Sequence, residues 1–353
     1  MDITKIDKNF AQTEITQYNG QVLTMPCKPF TLYGGWFEDG VGFIKVPLDK
    51  AEKVSPGVLW GSRCTAGVRI LFSTNAKIFK LTAKLFAKCL MHHMALTGSS
   101  GFTLTEVVGQ KEVFVGNFMP SLNVSEQDFT AQVNLKGEIM RNYILYFPLY
   151  CGVQSLSFEF DNNACFAEFK KYNNEKPILY YGSSITQGGC ASRPDNCYQG
   201  FISEWLNMDY LLLGYSGSAK AEDEMIDYLA SVDCSVFVCD YDHNASTVQD
   251  LKNTHEKLFK AFRANPKHKN VPVVFVSRPD GNNEIGALRF EVIKQTYQNA
   301  LNDGDKNVYL VDGREFYPKD IMERCAVDSC HPTDLGFYFM AKGIYSVLKQ
   351  IFK

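Results

Sequence analysis

ILYYGSSITQG, residues 178–188, joins an uninterrupted apolar run to a turn of small and polar residues. A run without apolar–polar alternation is typical of a parallel strand whose two faces are both covered. The small residues that follow allow the backbone to turn sharply, and they leave the hydroxyl of Ser184 unhindered. The stretch therefore predicts a buried strand that ends in an exposed serine.

Four similar apolar runs follow in the second half of the chain. They occupy residues 210–213, 236–239, 273–276 and 308–311. Helical patterns separate these runs, and a last helix is predicted over residues 333–351. Strands that alternate with helices predict an α/β fold, here a doubly wound, flavodoxin-like domain with a five-stranded parallel sheet.

The clearest helical pattern covers residues 247–262. Its inward-facing positions recur at spacings of four, three and four, and they are Leu251, His255, Leu258 and Phe262. Ser246 and Gln249 have the spacing of a capping box, so the helix is predicted to begin there.

The first half of the chain has a different hydrophobic pattern. Apolar and polar residues alternate in short runs between residues 68 and 160, for example over 129–133 and 153–158. This pattern predicts an antiparallel, jelly-roll-like β-sandwich. The polar run 170–176 separates the halves, so the predicted domains are residues 1–172 and 173–353.

Composition narrows the range of partners. The chain has 353 residues, 45% hydrophobic and 21% charged, with a net charge of -3. This balance gives no electrostatic support for binding nucleic acid or an anionic membrane. No apolar run approaches the ~18 residues of a membrane helix. The amino terminus lacks the apolar core of a signal peptide, so we expect a cytoplasmic protein, or an extracytoplasmic one if a leader has been removed. The sequence leaves the oligomeric state open.

The eleven cysteines include no C-x-x-C pair. Zinc ribbons and thioredoxin-like motifs are therefore unsupported, and we expect reduced thiols that serve as small core residues. Neither a cofactor nor a metal is predicted.

Polar residues follow the predicted strands at the edge where doubly wound sheets bind their ligands. Ser184 follows the first strand, Gly217 the second and Asn244 the third, and Asp328 and His331 lie in the loop after the fifth. A serine, a histidine and an aspartate are the parts of a hydrolytic triad. Each segment also has a plainer explanation, as a helix cap, a glycine turn or an Asx turn.

Three alternatives remain open at this point. The first is a metal-dependent phosphoesterase with ligands among Asp240, Asp242, His243, Asp328 and His331. The second is a glycan-binding protein without catalysis. The third takes Cys330 as the nucleophile, although its adjacency to His331 is poor geometry because neighbouring side chains usually diverge.

The residues from 176 onward resemble the SGNH/GDSL hydrolases. The resemblance lies in four segments that occur in the family's order: residues 182–188, Ser216-Gly217, Asn244 and 328–332. Two positions depart from the pattern. Ser183 replaces the aspartate of the GDSL motif, and residues 242–244 replace the usual Gly-x-Asn.

The resemblance implies roles for five residues. Ser184 would be the nucleophile, His331 the general base, and Asp328 the group that orients the imidazole. The backbone N–H groups of Ser184 and Gly217 and the side-chain amide of Asn244 would form the oxyanion hole. No metal or cofactor is implied.

The first half adds a weaker resemblance. Residues 65–72 and 145–150 are similar to the β-rich domain that precedes the catalytic domain in some bacterial SGNH hydrolases. This architecture also resembles carbohydrate esterases. We therefore expect the substrate to be a small acyl ester, and an acetyl group on a carbohydrate is one candidate. Arg193 and Arg278 are candidate substrate contacts.

Overall fold

A computed structural model describes residues 15–123 and 125–353 of the chain. The first half is built mainly of antiparallel strands. They are β1 (Ile15–Gln17), β2 (Leu23–Thr24), β3 (Thr31–Tyr33), β4 (Trp36–Glu38), β5 (Gly42–Ile44), β6 (Arg69–Thr74), β7 (Ile78–Leu85), β8 (Phe102–Val108), β9 (Lys111–Phe118), β10 (Asp128–Asn134), β11 (Arg141–Tyr146), β12 (Val153–Phe160) and β13 (Cys165–Ala167). Short helices interrupt them: α1 (Leu48–Val54), α2 (Pro56–Arg63) and α3 (Leu96–Ser99).

Two antiparallel sheets pack face to face in this half. One has the order β1-β13-β6-β11-β8-β9, with β3 paired to β6, and the other has the order β10-β7-β12-β2. Burial alternates along β7, as expected for a strand with one face toward the core. The core between the sheets is rich in phenylalanine, and Phe72 of β6 meets Phe158 of β12 with ring centroids 6.4 Å apart. The predicted β-sandwich is confirmed.

The second half contains the parallel sheet. Its strands are β14 (Ile178–Gly182), β15 (Tyr210–Gly214), β16 (Val236–Asp240), β17 (Val273–Val276) and β18 (Val308–Val311). The helices are α4 (Ser184–Gln187), α5 (Tyr198–Leu206), α6 (Asp223–Ser231), α7 (Val248–Ala264), α8 (Glu284–Asn302) and α9 (Asp334–Ile351). The strand order β15-β14-β16-β17-β18 is that of a flavodoxin-like sheet. The predicted α/β fold class is confirmed.

Both faces of this sheet are covered by helices. Leu179 and Tyr181 of β14 belong to one apolar core, with residues of α6, α7 and α8. Ile178 and Tyr180 belong to the other, with residues of α5 and α9. This double burial explains the absence of alternation in the sequence of β14. Within residues 15–123 and 125–353, no helix combines the length and apolar character that a membrane span requires.

The capping box of α7 lies one residue later than predicted. Thr247, not Ser246, caps the helix: its Oγ1 accepts a hydrogen bond from the N–H of Asp250 at 3.0 Å. The carboxylate of Asp250 accepts one from the N–H of Thr247, also at 3.0 Å. Both registers offer a hydroxyl and a polar residue three positions later, so the sequence pattern does not distinguish them.

A buried ion pair joins the sandwich to the parallel sheet. Arg69 of β6 is fully buried, and its guanidinium lies 2.5 Å from the carboxylate of Asp209. The same group donates to the Tyr172 hydroxyl at 3.0 Å and lies 3.7 Å from the Tyr210 ring centroid. Removing one partner of such a pair typically costs ~3–5 kcal/mol because a buried charge is left uncompensated. The division of the chain at residues 172 and 173 stays a prediction.

Candidate active site

Ser184 is the first residue of α4, directly after the exit of β14. Ser183 caps this short helix, since its Oγ accepts a hydrogen bond from the N–H of Ile185 at 3.1 Å. Gly182 is required by close packing: a Cβ there would fall 1.7 Å from a carboxylate oxygen of Asp240. These residues turn the chain sharply at the carboxyl edge of the sheet. Ser184 is only 7% exposed, so the prediction of an exposed serine is wrong, because Tyr150 and His331 from other segments pack on this turn.

His331 and Asp328 lie in a tight loop before α9. The N–H of Val327 donates to the carbonyl of His331 at 2.9 Å, and this closes the loop. Ser329 adopts a left-handed conformation with φ 65°. Asp328 Oδ1 accepts hydrogen bonds from the backbone N–H groups of His331, at 2.7 Å, and of Cys330, at 3.2 Å. The loop therefore holds the carboxylate in one orientation.

The structure brings the three predicted residues into one chain of contacts. Nδ1 of His331 lies 2.9 Å from Asp328 Oδ2, and its Nε2 lies 2.9 Å from Ser184 Oγ. With Nδ1 protonated and facing the carboxylate, Nε2 is free to accept a proton from the hydroxyl. The arrangement can therefore deprotonate Ser184 during nucleophilic attack.

The electrostatics of this pair favour a charged imidazole. Burial raises the pKa of Asp328, but hydrogen bonds from the backbone and ring of His331 outweigh it and lower the value to about 2. The adjacent Cys330 thiol raises the pKa of His331; burial opposes this, and the bond to Asp328 adds to it, which brings the value to about 9. An imidazolium that forms during proton transfer is thus well stabilised.

Gly217 and Asn244 lie together beside this edge. Gly182 pairs with Gly214 on one side and Asp240 on the other, so the exits of β14, β15 and β16 are adjacent. The Asn244 amide, oriented by its hydrogen bonds, donates to the Tyr215 carbonyl at 3.1 Å and accepts from the N–H of Gly217 at 3.3 Å.

The turn that carries Gly217 is joined to the helix of the serine. The backbone N–H of Ser216 donates to Gln187 Oε1 at 2.9 Å, and Gln187 belongs to α4. Gly217 itself has φ 67°, a conformation that favours glycine, and a Cβ there would meet open space. The structure therefore brings Gly217, Asn244 and the helix of Ser184 to one place, and their roles as an oxyanion hole stay a prediction.

The ligand set of the metal-dependent alternative is not brought together. Among the described residues, clusters of three metal-capable side chains combine His93 with Cys190 and His331, His243 with Asp280 and Cys330, and Asp328 with Cys330 and His331. Asp240 and Asp242 belong to none of them. Asp240 instead accepts hydrogen bonds from Thr186 and, at 2.8 Å, from Tyr198. Burial raises its pKa to about 7, and that of Asp242 to about 6.

Both candidate substrate arginines are held by nearby carboxylates. Arg193 donates to Asp195 at 2.9 Å, and its guanidinium lies 4.4 Å from the ring centroid of Phe114. Arg278 donates through Nε to Asp280 at 2.7 Å. These contacts account for both side chains without a ligand, so their part in substrate binding stays a prediction.

The sequence reasoning missed two side chains from the sandwich half. The hydroxyl of Tyr150 donates to the Ser184 carbonyl at 3.1 Å. The exposed ring of His93 lies 5.8 Å from the ring of His331, measured between centroids. Neither residue belongs to a segment with a predicted catalytic role, and only the packing of the two halves places them at the site.

Both halves of the chain match known protein families. Residues 175–349 match the GDSL-like lipase/acylhydrolase family, and residues 27–166 match the amino-terminal region of SGNH-hydrolase-type esterases. The chain belongs to the GDSL-like lipase/acylhydrolase family. It is accordingly a carboxylic ester hydrolase of the SGNH type. The sequence has no significant match among curated proteins.

Solved structures share the whole two-part architecture of this GDSL-family chain. A protein of Bacteroides ovatus, assigned as a GDSL-like lipase, is 25% identical, with a TM-score of 0.84 over 94% of this chain and 98% of its own. The salicylyl-acyltransferase SsfX3 of a tetracycline biosynthetic pathway is 16% identical, with a TM-score of 0.75 over 94% and 97%. A family two carbohydrate esterase of Clostridium thermocellum is 14% identical, with a TM-score of 0.64 over 94% and 98%. The last two show the fold alone.

Proposed function

We propose that this GDSL-family enzyme is a serine esterase that removes a small acyl group, in particular an acetyl group from a carbohydrate. The observation that carries the proposal is the chain of contacts from Asp328 through His331 to Ser184, with both imidazole nitrogens 2.9 Å from their partners. This is the geometry that general-base activation of a serine requires.

In the proposed mechanism, Ser184 Oγ bonds to the ester carbonyl carbon while His331 Nε2 takes its proton. The tetrahedral intermediate then expels the alcohol, which receives that proton from His331. Water, deprotonated by the same imidazole, attacks the acyl-enzyme; the bond between the acyl carbon and Ser184 Oγ then breaks, Oγ takes the proton back from His331, and the carboxylic acid leaves. Asp328 stabilises the imidazolium in both halves of the cycle.

The oxyanion in this mechanism is stabilised by the N–H of Ser184, by the Asn244 amide and, once its hydrogen bond to Asn244 Oδ1 is exchanged for one to the substrate oxygen, by the N–H of Gly217. The N–H of Ser184 lies in the first turn of α4, where backbone donors have no acceptor within the helix. The amide of Asn244 has a second hydrogen besides the one it donates to Tyr215. Loss of one such donor typically raises the activation barrier by ~3 kcal/mol.

Crowding around the serine supports a small acyl group. A Cβ at Gly189 would fall 2.8 Å from the Tyr150 hydroxyl, 2.9 Å from the Ser184 carbonyl and 3.1 Å from Cδ2 of His331. Gly189 therefore packs against the backbone of Ser184 and the ring of His331, and Ser184 itself is only 7% exposed. The carbohydrate part of the proposal draws on the architecture shared with family two carbohydrate esterases, one of which was solved with cellohexaose.

A substrate panel tests the proposal. We expect kcat/KM to be highest for p-nitrophenyl acetate and to fall at least tenfold by the octanoate ester, because the packed surroundings of Ser184 exclude long chains. Acetylated xylan and acetylated monosaccharides should release acetate. A preference for long-chain esters would contradict the small-acyl proposal, and no turnover of any ester would contradict the esterase.

The activity should rise with pH. His331 acts as a base only when neutral, and its pKa is raised to about 9. Below that value kcat/KM should therefore fall ~tenfold per pH unit. Because the adjacent Cys330 thiol is the largest cause of the raised pKa of His331, Cys330→Ser should move the rise in activity to lower pH. Blank-corrected initial rates from pH 6 to 10 measure both; the same midpoint in the two proteins would contradict this account.

A further inference from the structure

Cys330 has a histidine partner outside the chain of contacts that contains Ser184. Its Sγ lies 3.2 Å from Nε2 of His243, a residue that precedes it by 87 positions. The same nitrogen lies 3.5 Å from Oδ2 of Asp280. The sequence had offered only His331 as a partner for Cys330, whereas the fold adds an imidazole and a carboxylate from two other loops.

This Cys–His–Asp cluster is held in place by Arg278. The arginine donates to Asp280 through both Nε, at 2.7 Å, and Nη2. Its own backbone N–H donates to the buried carboxylate of Asp242 at 3.3 Å. The Asp280 carboxylate is therefore fixed on the same side of the imidazole as the sulfur, and two cationic side chains, His243 and Arg278, stand close to the sulfur.

The charged groups around the sulfur favour a thiolate. Burial raises the pKa of the Cys330 thiol, but the hydrogen bond with His243 and the nearby imidazole of His331 outweigh burial and lower the value to about 7. Burial lowers the pKa of His243, but its bonds with Asp280 and Cys330 raise the value to about 10. Two further carboxylates face this region. Asp242 lies on the side of His243, and Asp328 lies on the side of His331.

Accessibility separates Cys330 from most other cysteines of the chain. All eleven are free thiols, and seven are buried. Cys64 and Cys197 are examples, because burial raises the pKa of Cys64 to about 11 and that of Cys197 to about 12. Cys330 is only partly buried. A partly exposed thiol beside cationic groups is the environment of a reactive cysteine.

We propose that Cys330 is a modification site for small soft electrophiles, and that its modification blocks the adjacent Ser184–His331 pair. In the reaction with a haloacetamide, the thiolate sulfur forms a bond to carbon and the halide leaves with its electron pair, so no base is needed. The adduct occupies the space between His243 and His331. The second half of this inference depends on the proposed esterase function; the first half does not.

Peptide mass spectrometry after brief exposure to iodoacetamide tests the first half. Cys165 is the internal control, because it is also partly exposed but its Sγ approaches a carbonyl oxygen, 3.9 Å away on Asn163. At pH 7 we expect Cys330 to be labelled at least ~5-fold faster than Cys165. The larger thiolate fraction of Cys330 raises its rate, and the lower nucleophilicity of a low-pKa thiolate offsets part of that gain. Its labelling rate should be half-maximal near pH 7. Equal rates for the two cysteines in the wild type would overturn the proposal.

Two variants extend the test. His243→Ala should slow the labelling of Cys330 at pH 7 and leave that of Cys165 unchanged; an unchanged rate at Cys330 would also overturn the proposal. Cys330→Ser should keep its esterase activity after iodoacetamide treatment, whereas the wild type should lose more than ~90% in proportion to the adduct. Full adduct with full activity would contradict the blocking step alone, and normal labelling of a protein that never had activity would instead contradict the proposed function.

Discussion

Replacing Ser184 with alanine is expected to lower kcat for p-nitrophenyl acetate by at least ~10⁴-fold, as loss of a catalytic nucleophile does in other serine hydrolases. The hydroxyl is the only atom of this side chain that the mechanism uses, and its removal leaves His331 without a proton to accept. The fold should tolerate the change, because the variant loses one hydrogen bond, worth ~1 kcal/mol. Initial rates and urea unfolding of the purified variant measure the two effects.

Ser183→Ala is the matched control for this variant. Ser183 is also buried, but its Oγ caps α4 by accepting from the N–H of Ile185. Removing the cap should cost ~1 kcal/mol of stability and leave most of the turnover. If Ser184→Ala kept full activity while Ser183→Ala lost it, the nucleophile would be assigned to the wrong residue.

The second large effect is expected for His331→Ala. In the proposed mechanism the imidazole accepts the proton of Ser184 and returns it to the leaving alcohol, so its loss should lower kcat by ~10⁴-fold or more. The double variant with Ser184→Ala should be no slower than either single variant, because the two residues act as one unit. Additive losses in the double variant would show that the residues work independently.

His93→Ala is the control for the histidine. The His93 ring lies 5.8 Å from that of His331 but is exposed and stands on the sandwich half of the chain. Its removal should change kcat by less than ~3-fold, because no step of the mechanism uses it. A loss as large as that of His331→Ala would mean that the proton acceptor had been misidentified.

The parallel sheet was predictable because its signal is local. Each strand is a continuous apolar run, and the first run, residues 178–181, corresponds to β14, which ends one residue later at Gly182. The contacts of Ser184, Asp328 and His331 follow from the same information, since strand exits in such a sheet share one edge. Asp328 and His331 are three residues apart in the chain, so a tight turn is enough to bring their side chains into contact.

Other features depend on contacts that no local pattern contains. The predicted cap of α7 was wrong by one residue, because Ser246 and Thr247 each satisfy the capping pattern. Tyr150 reaches the Ser184 carbonyl from the sandwich half. The cluster of Cys330, His243 and Asp280 draws on three loops, and only the fold shows that their side chains meet. Residues 1–14 and 124 lie outside the described part of the chain.

Reaction with a fluorophosphonate tests the central claim most directly, because this reagent bonds to a serine only where a nearby base activates it. Mass spectrometry of the digested protein locates the adduct without any knowledge of the natural ester. The account predicts a single phosphonylated residue, Ser184, in the wild type and none in His331→Ala. An adduct on another residue, or equal labelling of Ser184 in both proteins, would contradict it.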